Sequence, residues 1–216
     1  MKRVFGTVEA VFDITYMIIA LTLGLILIFS ASSSEERMLS GIMALVLVIG
    51  DSFHLIPRIR LIRTGKEQEL RKKLGRGKQI TSITMTVFYL ILWHIGLIVF
   101  SPSNIKFVTY AVYVLAIIRI VICLLPQNKW EERYPPLTWG IWRNIPFFLQ
   151  GIVVSGLFFI YRNLNLSLNL MWLAIILSFI FYLPVVILSN KNPKIGMLMV
   201  PKTCTYLWML FMCMSL

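Results

Sequence analysis

The chain has 216 residues, 58% of them apolar and only 14% charged, with 21 Lys and Arg against 9 Asp and Glu for a net charge of +12. A soluble globular domain is about 45–50% apolar and about 25% charged, and disorder requires low hydrophobicity, so a water-soluble enzyme and a disordered chain are both excluded. What remains is an integral membrane protein, and the question becomes where its cations lie.

Spanning a bilayer takes roughly 20 mostly apolar residues, and seven runs qualify: approximately 10–31, 39–57, 79–100, 105–125, 141–161, 169–189 and 195–215. The breaks carry turn or charge chemistry. They are Ser32 to Arg37, a basic loop over 58–78, Ser101-Pro102-Ser103-Asn104, Pro126 to Thr138, Arg162 to Ser167, and Asn190-Lys191-Asn192-Pro193-Lys194. The expected fold is therefore an all-α, seven-helix bundle forming a single membrane domain over 1–216. Small residues at Phe29-Ser30-Ala31 could end a signal peptide, but the apolar core before them is too long and opens with Glu9 and Asp13, which favours a retained helix.

Lys and Arg in the connections set the orientation. One side carries fifteen: Lys2, Arg3, nine in Arg58–Lys78, Lys129, Arg133, Lys191 and Lys194. The other carries three, Arg37, Lys106 and Arg162. This asymmetry predicts a cytoplasmic amino terminus and an outer carboxyl terminus in the cytoplasmic membrane. It also accounts for the +12 without nucleic acid. The loop 58–78 is expected to lie against anionic inner-leaflet lipids, at about 1 kcal/mol per cation. Within it, Gly75-x-Gly77 follows no strand and lacks the spacing of a phosphate loop. Trp130, Tyr134, Trp139 and Trp142 fit an interfacial aromatic belt. Cys123, Cys204 and Cys213 provide neither a disulfide framework nor metal-ligand spacing, and Asn165-Leu166-Ser167 is an isolated glycosylation triplet.

Ionisable residues inside spans cost about 2.5–3.5 kcal/mol on insertion scales and point to function. The set is Glu9 and Asp13 in helix 1, Asp51 and His54 in helix 2, His94 in helix 3, Arg119 in helix 4, Arg143 in helix 5 and Lys202 in helix 7. All except His94 fall in the cytoplasmic half, and helical spacing groups them with other polar residues. Asp51, His54 and Arg58 form one stripe; Ser82, Thr86, Tyr89 and Trp93 form another. Arg143, Phe147 and Gln150 share a face of helix 5, next to Asn144, and Lys202, Thr205 and Tyr206 cluster near the inner end of helix 7. Turned inward, these stripes would make a polar pocket facing the cytoplasm. Pro57, Pro146, Pro184 and Pro201 sit near the same depth, where broken helix backbone is tolerated if it lines a cavity or is buried.

Arg58, Arg119, Arg143 and Lys202 outnumber Glu9, Asp13 and Asp51 by one charge. Two readings stay open: a structural salt-bridge network with Glu9 and Asp13 as internal counter-charges, or a cationic pocket whose Arg forks hold a carboxylate or phosphate. The leading expectation is transport or binding of a small anionic ligand, with Arg119, Arg143 and Lys202 holding it and Asp51 and His54 coupling protons. His94, alone on an apolar face, reads as a packing residue.

Two other classes compete. The Asp51-Ser52-x-His54 cluster resembles the site of zinc-dependent seven-helix hydrolases, the alkaline ceramidase and adiponectin-receptor superfamily, which would imply a membrane-embedded lipid-modifying enzyme. With two histidines and no His-x-x-x-His pair in helix 7, a three-histidine zinc site cannot be built, and neither metal nor cofactor is expected. Lys202 in the seventh helix resembles the Schiff-base lysine of retinal proteins, which would imply a sensor, but it lies near the inner end and helix 3 has no acidic counter-ion.

The strings Gly50-Asp51-Ser52-Phe53-His54-Leu55-Ile56-Pro57-Arg58, Gly77 to Thr86, Trp139-Gly140-Ile141-Trp142-Arg143-Asn144-Ile145-Pro146-Phe147 and Met199 to Cys204 together resemble a group of short, polytopic bacterial membrane proteins. The resemblance implies a seven-helix membrane fold and brings no assigned activity.

Overall fold

The computed structural model describes the backbone of residues 2–189 and 192–216, and the side chains of 6–189, 192 and 194–216. Asn190 and Lys191, expected in the last connection, lie outside the described residues, as do the side chains of Lys2 and Arg3. Among the described residues seven α-helices account for most of the chain: α1 Lys2–Phe29, α2 Glu35–Thr64, α3 Glu67–Phe100, α4 Lys106–Leu124, α5 Leu137–Ile160, α6 Met171–Leu188 and α7 Met199–Cys213. Each contains or forms part of a segment long and apolar enough to cross a membrane. Short 3-10 turns at Pro126–Asn128, Leu166–Leu168 and Pro193–Leu198 fill the later connections.

The seven expected runs correspond to these helices in order, with one substantial difference. The stretch 58–78, expected as a loop, is helical except at Gly65 and Lys66. Lys, Arg, Glu and Leu are all good helix formers, so a charged stretch ends a membrane span without ending the helix. Only Gly65 breaks it, with φ of 70° at the carboxyl end of α2 and its N–H donating to the Leu61 carbonyl. That left-handed geometry is the ordinary helix stop for glycine. At 1.5 Å per residue the 30 residues of α2 and 34 of α3 measure about 45 and about 51 Å, against about 30 Å of hydrocarbon. The basic segment is thus a helical hairpin standing beyond the bilayer core. It is laced by Arg71–Glu67 at 3.5 Å and Lys66–Glu69 at 3.1 Å.

Sequential helices pack side by side and α1 meets α7, closing a ring, while α3 also reaches α5. From α3, Phe88 touches Tyr206 of α7 and Tyr89 touches Phe179 of α6. Phe88, Tyr89, Leu92, Trp93 and Ile95 are fully buried, so the core lies along this helix. Outward, Val8, Val11, Ile14 and Ile18 of α1 and Phe107, Val114, Ile117 and Val121 of α4 are exposed. Apolar stripes of this extent suit lipid as their solvent rather than water. The chain is an all-helical, multi-pass membrane protein.

Two glycines fix the basic hairpin against the bundle. A Cβ at Gly75 would drive into the Trp130 carbonyl, and one at Gly77 into the carbonyl of Phe53. Pro57 lies four residues after Phe53 and has no N–H, so it leaves that carbonyl without its helical donor. Gly75-x-Gly77 is therefore a close-packing device between α3, α2 and the α4–α5 connection. Arg76–Glu131 at 3.2 Å and Arg133–Glu67 at 3.2 Å tie the same surfaces together.

Candidate functional site

The predicted polar stripes converge, but into three neighbouring groups rather than one pocket. At the basic end, the Arg58 guanidinium donates to both Glu9 carboxylate oxygens, at 2.7 and 3.3 Å. Glu9 and Arg58 are thus committed to one another. Asp13 is buried one turn further along α1, within electrostatic reach of Glu9 and Arg58. Asp51 accepts from the Tyr16 hydroxyl at 2.8 Å.

The second group gathers at the α4–α5 connection. The Arg143 Nη1 donates to Asn128 Oδ1 at 3.0 Å, and its guanidinium lies over the Trp130 ring, 4.2 Å from the centroid. Asn128 is fully buried, and its side-chain amide donates to the Ile122 and Leu125 carbonyls as a second donor beside the backbone N–H groups of the turn that ends α4. Arg143 therefore braces a turn and is half-buried at the edge of the third group.

That third group is the centre of the bundle. Arg119 is 2% exposed, with its guanidinium carbon 3.2 Å from the centroid of the Phe147 ring. The Cys123 thiol is a hydrogen-bonding neighbour, yet Nε and Nη1 find no partner. Lys202 is buried, its Nζ 4.7 Å from the Tyr182 ring centroid and 5.0 Å from that of Tyr206. It lies within electrostatic reach of both Asp51 and Arg119. Among the described residues no ion pair includes Arg119, Arg143 or Lys202.

Hydroxyls and amides surround these two cations. Tyr182 donates to Asn144 Oδ1 at 3.0 Å, and Asn144 in turn donates to the Gly140 carbonyl at 2.7 Å. The Tyr89 and Ser178 hydroxyls are 3.0 Å apart. Gln150 donates to the Thr86 carbonyl at 3.5 Å, while its buried Oε1 has no partner. The Thr86 and Thr205 hydroxyls turn back onto their own helices, to Ser82 and Lys202 carbonyls. These two threonines therefore shape the site without offering it a free donor.

Of the predicted residues, Tyr89, Arg119, Asn144 and Lys202 come together, Asn144 through Tyr182, while Gln150 faces Thr86. Tyr16, Asn128, Ser178 and Tyr182 are contributors the sequence reading did not select. Ser178 and Tyr182 are four apart, a polar stripe on α6 that the spacing rule could have found. His54 is half-buried with no partner for Nδ1. His94 accepts from or donates to the Tyr113 hydroxyl at 2.6 Å, which suits a packing role. Ser52 donates to the Ile49 carbonyl of its own helix rather than to His54, so the two do not form a nucleophile–base pair.

An enclosed centre with two cations and few acceptors is suited chemically to an anion. A buried guanidinium normally pairs, because leaving its donors unsatisfied costs free energy. The fold and site together define a multi-pass helical membrane protein with a buried cationic centre. No protein-family profile, curated protein or solved structure matches the chain.

Proposed function

We propose that this protein binds a small anion between Arg119 and Lys202 and carries it across the cytoplasmic membrane. The carrying observation is Arg119, buried in the bundle with two donor nitrogens free and, among the described residues, no carboxylate paired to it. Planar guanidinium donors match carboxylate or phosphate oxygens and give charge-assisted hydrogen bonds. Lys202 supplies a second charge, and Asp51 offsets one of the two, which suits a singly charged ligand. Without ligand, Lys202 is drawn towards Asp51; an anion beside Arg119 draws it the other way. That exchange couples occupancy to the packing of α2 against α7.

The centre is closed as observed, so entry requires movement. Pro146 and Pro184 lie inside α5 and α6, and Pro201 lies in the first turn of α7. Pro146 and Pro184 each remove a helical hydrogen bond, two residues after Asn144 and Tyr182 of the site, whereas Pro201, in a first turn, fixes the direction in which α7 starts. Bending at these points opens the bundle towards its basic end. The Lys and Arg asymmetry supports a cytoplasmic amino terminus, which makes that end the inner one and sets the basic hairpin against anionic lipid headgroups.

A thermal-shift panel of monocarboxylates, dicarboxylates, phosphate, sulfate and halides on detergent-purified protein tests the binding. One class of anion raises the melting temperature of the native chain and fails to do so for Lys202→Met. A flat response across the whole panel overturns the proposal.

A further inference from the structure

A cleft of about 670 Å³ lies between α1 and the basic end of α2, lined by Gly6, Ala10, Val11 and Ile14 on one side and Ile59, Ile62 and Arg63 on the other, with Glu9 and Arg58 between them. It is separate from the buried centre and belongs to the basic end of the bundle. The two helices meet tightly here, since a Cβ at Gly6 would stand 3.0 Å from Ile62 Cγ2. Its polar groups are unequal in sign. Glu9 is already held by two nitrogens of Arg58, so Arg63, exposed on the rim, is a cation with no acidic partner among the described residues.

The apolar wall of the cleft does not stop at its edge. Val11 and Ile14 continue along α1 into Ile18, Leu21 and Leu25, all exposed on the lipid-facing side. A hydrocarbon chain lying on that stripe would bring the polar end of the same molecule to Arg58 and Arg63. A soluble anion would have no use for the stripe, and a neutral lipid no use for the surplus cation. We propose that this cleft is a specific site for an anionic phospholipid, with one acyl chain against Val11, Ile14 and Ile59 and the headgroup phosphate on Arg63, beside the Glu9–Arg58 pair. The site is independent of the reading of Arg119. It differs from diffuse attraction to the basic hairpin because it assigns the interaction to one arginine and one apolar wall.

Delipidated protein in neutral detergent, titrated with phosphatidylglycerol and followed by native mass spectrometry, tests the site. The native chain retains one phosphatidylglycerol in preference to phosphatidylcholine. Arg63→Gln weakens that retention about five-fold, the effect of one interfacial cation. Arg60→Gln removes the same charge from an exposed position on the same helical turn that does not line the cleft, and it leaves retention unchanged. Glycerol 1-phosphate, the headgroup without chains, does not compete. Equal losses in Arg60→Gln and Arg63→Gln, equal retention of the two lipids, or displacement by glycerol 1-phosphate would each overturn the assignment.

Discussion

Replacing Arg119 with methionine separates a ligand-binding cation from an internal brace, because the two roles predict opposite signs. Arg119 is 2% exposed, forms no ion pair among the described residues, and leaves Nε and Nη1 without acceptors. Each unsatisfied buried donor costs about 1–3 kcal/mol. The stack on Phe147 returns about 2 kcal/mol. Replacing buried ions by apolar side chains of similar volume is often stabilising by about 1–4 kcal/mol. The balance is a gain of about 1–3 kcal/mol for the empty protein. At about 2–4 °C per kcal/mol for a chain of this size, Arg119→Met raises the melting temperature by roughly 2–12 °C. Intrinsic-fluorescence unfolding in detergent, without added carboxylates or phosphate, reads this directly. A fall in melting temperature would refute the reasoning, since removing one partner of a buried pair costs about 3–5 kcal/mol and only a paired Arg119 behaves that way.

Two glycines on different helices should respond with opposite signs to the same substitution. Gly77→Ala meets the Phe53 backbone and is destabilised by overpacking of about 1–3 kcal/mol, whereas Gly156→Ala in α5 meets nothing within 4 Å and gains up to about 1 kcal/mol of helix propensity; unfolding in matched detergent compares them. The proposed orientation is tested with an impermeant thiol reagent on intact cells in a Cys204→Ser background. Ser103→Cys labels at once and Lys73→Cys only after permeabilisation; the reverse pattern inverts the topology.

The helices were legible because a bilayer leaves few alternatives to apolar runs of span length. Their ends were less legible, most of all at 58–78. There Arg58 and Lys78 mark where the apolar runs end, and helix propensity carries the backbone on to Gly65 from one side and Glu67 from the other. The polar centre was legible in its cations, since Arg119 and Lys202 stand out in apolar surroundings. The division of labour among those cations was not, because spacing along one helix cannot say which neighbour is reached. Arg58 shares a stripe with Asp51, yet Glu9 of α1 claims it. Arg143 shares a stripe with Gln150, yet Asn128 and Trp130 of the preceding connection hold it. Tyr182 and Ser178 escaped because hydroxyls on the most apolar helix carry no charge to draw notice, although they complete the wall of the site.

The cationic centre also explains a division within the bundle. α1 and α2 pair Glu9 with Arg58, and the Tyr16 hydroxyl donates to Asp51. α4 and α7 bring Arg119 and Lys202 inward with aromatic faces instead of carboxylates. Aromatic faces hold a cation at moderate strength, about 0.5–2 kcal/mol, and leave its donors able to turn to an arriving anion.

Isothermal titration of the anion selected by the thermal-shift panel, into native protein and into Arg119→Met, tests the central claim most directly. The account predicts saturable binding of one anion per chain. Loss of a buried charge-assisted contact of about 2–5 kcal/mol weakens binding at least about 30-fold in Arg119→Met, while the variant remains folded. Equal affinity in the two proteins would contradict it.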